Sequence, residues 1–231
     1  MLLRSLDDLF RDPLHFIIIL CATVIALSIA ITVHEFTHAL IAYKLGDPTA
    51  KDYGRLSLNP KVHLDPFGTA MLFLVGLGWG KPVPVNIANF HRFRRQAMAF
   101  VSIGGPISNL ITAAIFALPI NLGLIPWRSP FNMSIFKDGT DLILPDLFGF
   151  IIFYNLVLAV FNLIPIAPLD GFKVALGVLP KGIAEAVAKS EPYGPAVLMI
   201  VVVLDFWLGI RILSSIIGPA IGFFGRIILL T

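Results

Sequence analysis

Long apolar stretches alternate with short polar segments along the chain. After a polar head of residues 1–13, apolar runs cover residues 16–33, 67–80, 97–122, 147–169 and 195–225. A helix that crosses a bilayer needs about 20 apolar residues. The first, third and fourth runs meet this requirement, and the first resumes its apolar character through Tyr43. These three runs therefore predict three membrane-spanning helices.

The two other runs are interrupted. Run 67–80 is short and rich in glycine, which predicts a re-entrant or tilted segment rather than a full span. The residues that follow it, 81–85, contain two prolines and cannot form a helix. The C-terminal run contains Asp205 and Arg211, which predicts either one broken span or two short helices around Gly209. We expect four to six membrane segments, all helical, because backbone polar groups in lipid must pair internally.

The composition supports a polytopic all-α membrane protein. The chain has 231 residues, of which 57% are hydrophobic and 13% charged, whereas soluble domains carry about 25% charged residues. This excludes a water-soluble enzyme, a disordered chain and a nucleic-acid binder. We predict one membrane-embedded domain over residues 1–231, with a core at about 16–175 and a C-terminal membrane region at 193–231. Since Cys21 is the single cysteine, a bound metal must use histidine and carboxylate ligands.

The distribution of lysine and arginine predicts an orientation. The segment after the first span is strongly basic, whereas the segment between the third and fourth runs is poor in basic residues and richer in aspartate. Under the positive-inside rule the first segment is cytoplasmic and the N-terminus lies outside. The basic residues of the first segment are Lys44, Lys51, Arg55, Lys61, Lys81, Arg92, Arg94 and Arg95.

The first span ends in the sequence His34-Glu35-Phe36-Thr37-His38. Helical residues four apart lie about 40° apart around the axis and about 6 Å along it, so both imidazoles can bind one zinc ion. Glu35 then lies beside the metal, where it can act as a general base. The alternative is a pair of packing histidines with a buried glutamate. In a membrane this alternative is costly, because a carboxylate at depth costs about 2.5 kcal/mol or more.

A catalytic zinc site needs a third protein ligand and one open position. Asp170 follows the fourth run directly, after two prolines that break the helix, and Gly171 is expected to permit a tight turn. The fourth run travels from outside to inside, as the first does, so Asp170 arrives on the same side as the two histidines. The alternative for Asp170 is a helix cap. Asp205 is a rival ligand that could instead mark a helix break or a contact with another chain.

In these and several further motifs, the chain resembles the site-2 protease family of zinc intramembrane metalloproteases, in its compact prokaryotic branch without PDZ or CBS domains. The resemblance covers about residues 30–175. One departure is Phe172, where many members have a second glycine. The matching motifs are His34-Glu35-Phe36-Thr37-His38, Gly54-Arg55-Leu56-Ser57-Leu58-Asn59-Pro60, His63-Leu64-Asp65-Pro66, Gly80-Lys81-Pro82-Val83-Pro84-Val85-Asn86, Gly105-Pro106-Ile107-Ser108-Asn109 and Asn162-Leu163-Ile164-Pro165-Ile166-Ala167-Pro168-Leu169-Asp170-Gly171.

The resemblance implies a role for each matching residue. His34, His38 and Asp170 would bind one Zn²⁺ per chain, and Glu35 would be the general base and then the general acid. Asn109 would orient the substrate or stabilise the oxyanion, although a helix–helix hydrogen bond is an equally good interpretation of its amide. Residues 81–86 would form part of a re-entrant β-like segment near the substrate.

The implied activity is hydrolysis of peptide bonds within or near transmembrane segments of other proteins, as in regulated intramembrane proteolysis. The implied partners are a transmembrane protein substrate and the lipid bilayer of the cytoplasmic membrane, with the active site towards the cytoplasm and no nucleic acid. Two alternatives remain: a metal-ion transporter and an inactive zinc-binding scaffold. We expect His63 and His91 to be solvated residues at the membrane interface rather than ligands of a second metal.

Overall fold

The structure is a computed structural model that describes residues 13–68, 80–91, 93–129 and 143–230. Most of the predicted re-entrant segment, residues 69–79, lies outside these ranges. Within them the regular secondary structure is helical, apart from one isolated β-bridge between Leu64 and Gly80, and turns and irregular loops connect the helices. The helices are α1 Pro13–Lys44, α2 Thr49–Asp52, α3 Arg94–Asn121, α4 Ile143–Asn162, α5 Asp170–Val178, α6 Lys181–Ala188, α7 Gly194–Trp207 and α8 Ile212–Leu229, with 3-10 turns at Pro60–Val62, Ile87–Asn89 and Glu191–Tyr193.

Five helical stretches in the described part are long and apolar enough to cross a membrane. The chain is therefore an all-α polytopic membrane protein, as the sequence predicts. The C-terminal region forms two helices, α7 and α8, and Gly209 lies between them with a φ of +69°. The five stretches are Phe16–Lys44, Arg94–Asn121, Ile143–Asn162, Lys181–Asp205 and Ile212–Leu229.

Helices α1, α3 and α4 pack against one another and form the centre of the protein. Small side chains lie where these helices meet, because close approach is the main source of helix association in lipid. At Gly104 of α3, an added Cβ would lie 2.2 Å from Cδ1 of Ile41 in α1. The buried alanines of these helices include Ala22, Ala26, Ala30, Ala39 and Ala42 in α1, Ala113 and Ala117 in α3 and Ala159 in α4.

The fourth apolar run is helical over only part of its length. Helix α4 ends at Asn162, and residues 163–169 form turns before α5 begins at Asp170. Two prolines in this stretch lack the N–H that a helix requires. The tight turn that we expected Gly171 to permit lies at the start of α5, and it does not depend on a positive φ. Instead, an added Cβ would lie 2.2 Å from the Leu163 carbonyl oxygen, so glycine permits close backbone contact.

Asp205 belongs to the connection between α7 and α8. Its Oδ1 accepts hydrogen bonds from the backbone N–H groups of Leu213, at 2.7 Å, and Ser214, at 3.3 Å. These N–H groups lie in the first turn of α8, where a helix has no internal acceptors for them. Asp205 is therefore a cap at a helix break, and the idea that it is a rival metal ligand is wrong.

Candidate metal centre

Three buried side chains meet between α1 and the start of α5. His34 Nε2 lies 3.0 Å from Asp170 Oδ2, and His38 Nε2 lies 3.1 Å from the same oxygen. The ligand atoms of the three residues all lie within 4.8 Å of one another. Tetrahedral zinc with ligand bonds of 2.0–2.1 Å requires neighbouring ligand atoms about 3.3 Å apart. The spacing therefore fits one zinc ion with small adjustments.

The protonation of both imidazoles is set by their other ring nitrogens. His34 Nδ1 lies 2.6 Å from Asn109 Oδ1, and His38 Nδ1 lies 2.7 Å from the Val101 carbonyl oxygen. Because both partners are acceptors, each Nδ1 carries the hydrogen and each Nε2 presents a lone pair. Two Nε2 lone pairs and a carboxylate oxygen then converge on one point. A divalent cation balances such a set of donors, which fits zinc chemically.

Asn109 is completely buried and all of its amide contacts are within the protein. Its Nδ2 donates to the Ala30 carbonyl oxygen at 2.9 Å and to Asn155 Oδ1 at 2.8 Å. Asn155 is fixed in turn, since its Nδ2 donates to the Ile151 carbonyl at 2.8 Å. Both N–H groups of Asn109 are therefore engaged, and neither is available to an oxyanion. These contacts do not fit a role in stabilising the oxyanion. They match the interpretation of Asn109 as a helix–helix hydrogen bond, and they also orient His34.

Gly105 makes room for the two imidazoles. An added Cβ at this position would lie 2.5 Å from His38 Nε2 and 2.6 Å from His34 Cε1. These distances are far below van der Waals contact, so a larger residue would displace both rings. Glycine at this position of α3 lets the helix pass directly behind the site.

The segment Gly80–Asn86, here called the strap, crosses beside Glu35. The Val83 N–H donates to Glu35 Oε2 at 3.0 Å. The Lys81 N–H donates to the His63 carbonyl at 2.7 Å, next to the bridge between Leu64 and Gly80. As predicted, residues 81–85 are not helical. The strap holds one oxygen of Glu35 through a backbone hydrogen bond.

The other end of the strap is held by Asp47, just after α1. The buried carboxylate of Asp47 accepts from the Asn86 N–H at 2.7 Å, from Asn89 Nδ2 at 2.6 Å and from the hydroxyl of Thr49 at 2.5 Å. Burial acts to raise the pKa of Asp47, but hydrogen bonds from Thr49 and Asn89 outweigh it and lower the pKa below its usual value. The strap is thus attached at both ends to loops that follow α1.

His63 differs from our expectation. Its side chain is fully buried, and its Nε2 lies 2.7 Å from the Ser57 carbonyl oxygen, so the ring nitrogen donates to it. It lies outside the group of candidate metal ligands and supports the loop that carries the strap. His91 is exposed, as predicted.

Comparison with known proteins decides the family. The model of Peptidase family M50 matches residues 127–204. A Bacillus subtilis protein whose name assigns it as a zinc metalloprotease, YwhC, is 43% identical over 181 residues, which cover 78% of this chain and 79% of the relative. The chain belongs to the site-2 protease (M50 peptidase) family.

More distant relatives carry the same kind of name. The zinc metalloprotease Rip2 of Mycolicibacterium smegmatis is 26% identical over 84% of this chain and 73% of the relative. Rip2 of Mycobacterium tuberculosis H37Rv is 25% identical over 74% of this chain and 62% of the relative. No solved structure matches. This site-2 protease is a zinc metalloprotease of the membrane, with zinc as its cofactor.

Several residues of the site were not predicted from the sequence. Asn155 was detectable, because an amide in the middle of an apolar span needs a buried partner. The contributions of Val83 and Val101 come from backbone groups, and the side-chain pattern gives no sign of these.

Proposed function

We propose that this site-2 protease hydrolyses peptide bonds within or near transmembrane segments of other membrane proteins. The observation that carries the proposal is the convergence of His34, His38 and Asp170 beside Glu35, inside a bundle of membrane-spanning helices. The ligand set leaves one coordination position open, as a catalytic zinc site requires. Regulated intramembrane proteolysis is the process that such an enzyme serves.

His34, His38 and Asp170 would hold the zinc ion, which supplies a Lewis acid that polarises the scissile carbonyl and acidifies water. Glu35 accepts a proton from the attacking water through Oε1, because Oε2 is engaged by the Val83 N–H. The same carboxyl then donates the proton to the leaving nitrogen. Asn109 acts as a positioning residue that keeps His34 Nε2 directed at the metal.

Water must reach this site, and we propose that it enters from the end of α1 that lies nearer to the ligands. His34 lies ten residues before the end of α1 at Lys44, or about 15 Å along the helix. We propose that this end faces the cytoplasm, that the N-terminus lies outside, and that residues 1–231 act as one domain in the cytoplasmic membrane. Irregular backbone such as the strap is tolerated at depth where it lines a polar cavity.

The substrate we propose is a transmembrane helix that unwinds locally. A helical peptide bond is shielded by its own turn, so helix-breaking residues near the cleavage site should favour hydrolysis. The partners are therefore a transmembrane protein substrate and the surrounding bilayer, with no nucleic acid involved.

The test is cleavage of a single-span model protein in liposomes by wild type, Glu35→Gln and Asp170→Asn. We expect Glu35→Gln to retain one zinc per chain but to lose activity by about a hundredfold or more, because the general base is gone. Asp170→Asn should lose both zinc and activity. Zinc content is measured by elemental analysis, and the cleavage site by mass spectrometry of the fragments.

A soluble peptide with the residues of the cleavage site is the control substrate. Undiminished turnover by Glu35→Gln, or cleavage restricted to the soluble peptide, would contradict the proposed function. Metal uptake into the liposomes without cleavage would favour a transporter instead.

A further inference from the structure

Arg55 is a buried arginine whose side chain is turned onto the backbone of the strap. It is 5% exposed, and its Nη2 donates to two consecutive carbonyl oxygens, that of Lys81 and, at 2.9 Å, that of Pro82. One nitrogen therefore holds two neighbouring peptide groups. A rigid, planar guanidinium is well suited to this, since its donors keep a fixed geometry.

The second of these two peptide groups is the one that contacts Glu35. The Pro82 carbonyl and the Val83 N–H belong to the same peptide unit, and that N–H donates to Glu35 Oε2 at 3.0 Å. Because a peptide unit is planar, fixing the carbonyl oxygen of Pro82 also fixes the direction of the Val83 N–H. Arg55 and Glu35 are thus connected through the two ends of one rigid plane.

The charge of Arg55 fits the same arrangement. Burial lowers the pKa of the Arg55 guanidinium, and the negative charge of Glu35 acts in the opposite direction. Both groups contact the Pro82–Val83 peptide, so the cation and the carboxylate lie near each other. Arginine remains protonated even when buried, so this cation is constant at any working pH.

We propose that Arg55 is a positioning residue for Glu35: it fixes the Pro82–Val83 peptide so that the Val83 N–H holds Glu35 Oε2 and leaves Oε1 for the proton. This inference rests on the proposed function, because it assigns Arg55 a part in the same hydrolysis.

The strap has attachments that do not depend on Arg55. The Lys81 N–H is bonded to His63, and the Asn86 N–H is bonded to Asp47. Loss of the guanidinium therefore leaves the strap attached but frees the Pro82–Val83 peptide to rotate. The consequence is a loss of orientation at Glu35, while the three proposed zinc ligands are untouched.

The experiment compares Arg55→Met with Arg55→Lys and with Val83→Pro, which removes the N–H itself. We expect Arg55→Met to lower kcat about 10- to 100-fold, the value of one hydrogen bond to a charged group, with KM and zinc content close to wild type. Val83→Pro should lower kcat by a similar factor, and Arg55→Lys should restore part of the loss. The double variant should be no slower than the slower single variant, since both changes break the same connection.

Two variants serve as controls. Val83→Ala keeps the N–H and should lower kcat far less than Val83→Pro does. Arg94→Met removes another arginine that donates to a backbone carbonyl, that of Phe90 at 3.2 Å, and should leave kcat unchanged.

Additive losses in the double variant, loss of zinc in Arg55→Met, or a change in KM alone would overturn the inference. Wild-type kcat in Arg55→Met would overturn it too, while inactivity of Glu35→Gln in the same assay would leave the proposed function intact. Full activity of Glu35→Gln would instead remove the proposed function.

Discussion

The helices around the metal centre and the C-terminal pair α7 and α8 are built in different ways. In the most apolar windows of α3 and α4, 50% and 56% of residues are buried inside the protein, against 11% for the stretch that includes α7 and 6% for α8. The central helices also carry a connected set of buried polar contacts, from Asn155 through Asn109 to His34. The hydrogen bonds that fix side-chain orientation are therefore concentrated around the candidate metal centre.

The C-terminal pair attaches mainly through apolar side chains. Ile221, Phe224 and Ile228 of α8 pack against a cluster that contains Ile152 and Leu156 of α4. Contacts of this kind tolerate small shifts, since no donor or acceptor has to be aligned. Substitutions that displace the proposed zinc ligands or their hydrogen-bond partners should therefore change zinc binding, whereas matched substitutions in the C-terminal pair should leave zinc binding unchanged.

The largest difference is expected between two glycine substitutions. Gly105→Ala places a Cβ 2.5 Å from His38 Nε2, whereas the same change at Gly222 in α8 meets nothing within 4 Å. We expect Gly105→Ala to lose most of its zinc and more than about a hundredfold of its activity, because both rings must move. Gly222→Ala should match wild type. Zinc per chain and cleavage rate are the measurements, and full zinc in Gly105→Ala would contradict this reasoning.

An intermediate difference is expected between two asparagines. Asn155→Leu removes the acceptor that fixes the Asn109 amide and, through it, His34. Loss of such an outer partner typically weakens metal binding 10- to 100-fold. Asn121→Leu removes a bond to the Ile228 carbonyl, at 2.8 Å, near the end of α8, and should change zinc affinity less than about twofold. Competition with a chelator measures both, and equal affinities would remove the distinction between the two regions.

The smallest effect is expected at the connection between α7 and α8. Asp205→Ala removes the acceptor for the Leu213 and Ser214 N–H groups, which should cost about 1 kcal/mol of stability. Thermal unfolding in detergent should show a lower Tm with unchanged zinc content and kcat. Asp205→Asn keeps an acceptor oxygen and should recover most of the loss. A loss of zinc in Asp205→Ala would mean that the two regions are coupled.

Much of this organisation follows from the sequence, and the reasons are local. Apolar runs near bilayer length predict the spans, and the spacing of His34 and His38 follows from the geometry of one helix. The position of Asp170 on the same side of the membrane as the two histidines follows from the directions of the first and fourth apolar runs. By contrast, the rotation of α3 that brings Gly105 behind both imidazoles depends on how three helices pack. The buried position of His63 depends on a loop fold that no periodic pattern describes.

The prolines of the strap have a consequence for contacts between molecules. Pro82 and Pro84 have no N–H, the Lys81 N–H is given to His63 and the Val83 N–H to Glu35. From residue 81 to residue 84, every backbone donor is either missing or already used. Two copies of this stretch could not pair as β-strands, because neither copy has a free N–H group to donate to the carbonyl oxygens of the other. The strap beside Glu35 is thus protected against backbone pairing with a second copy of the same chain.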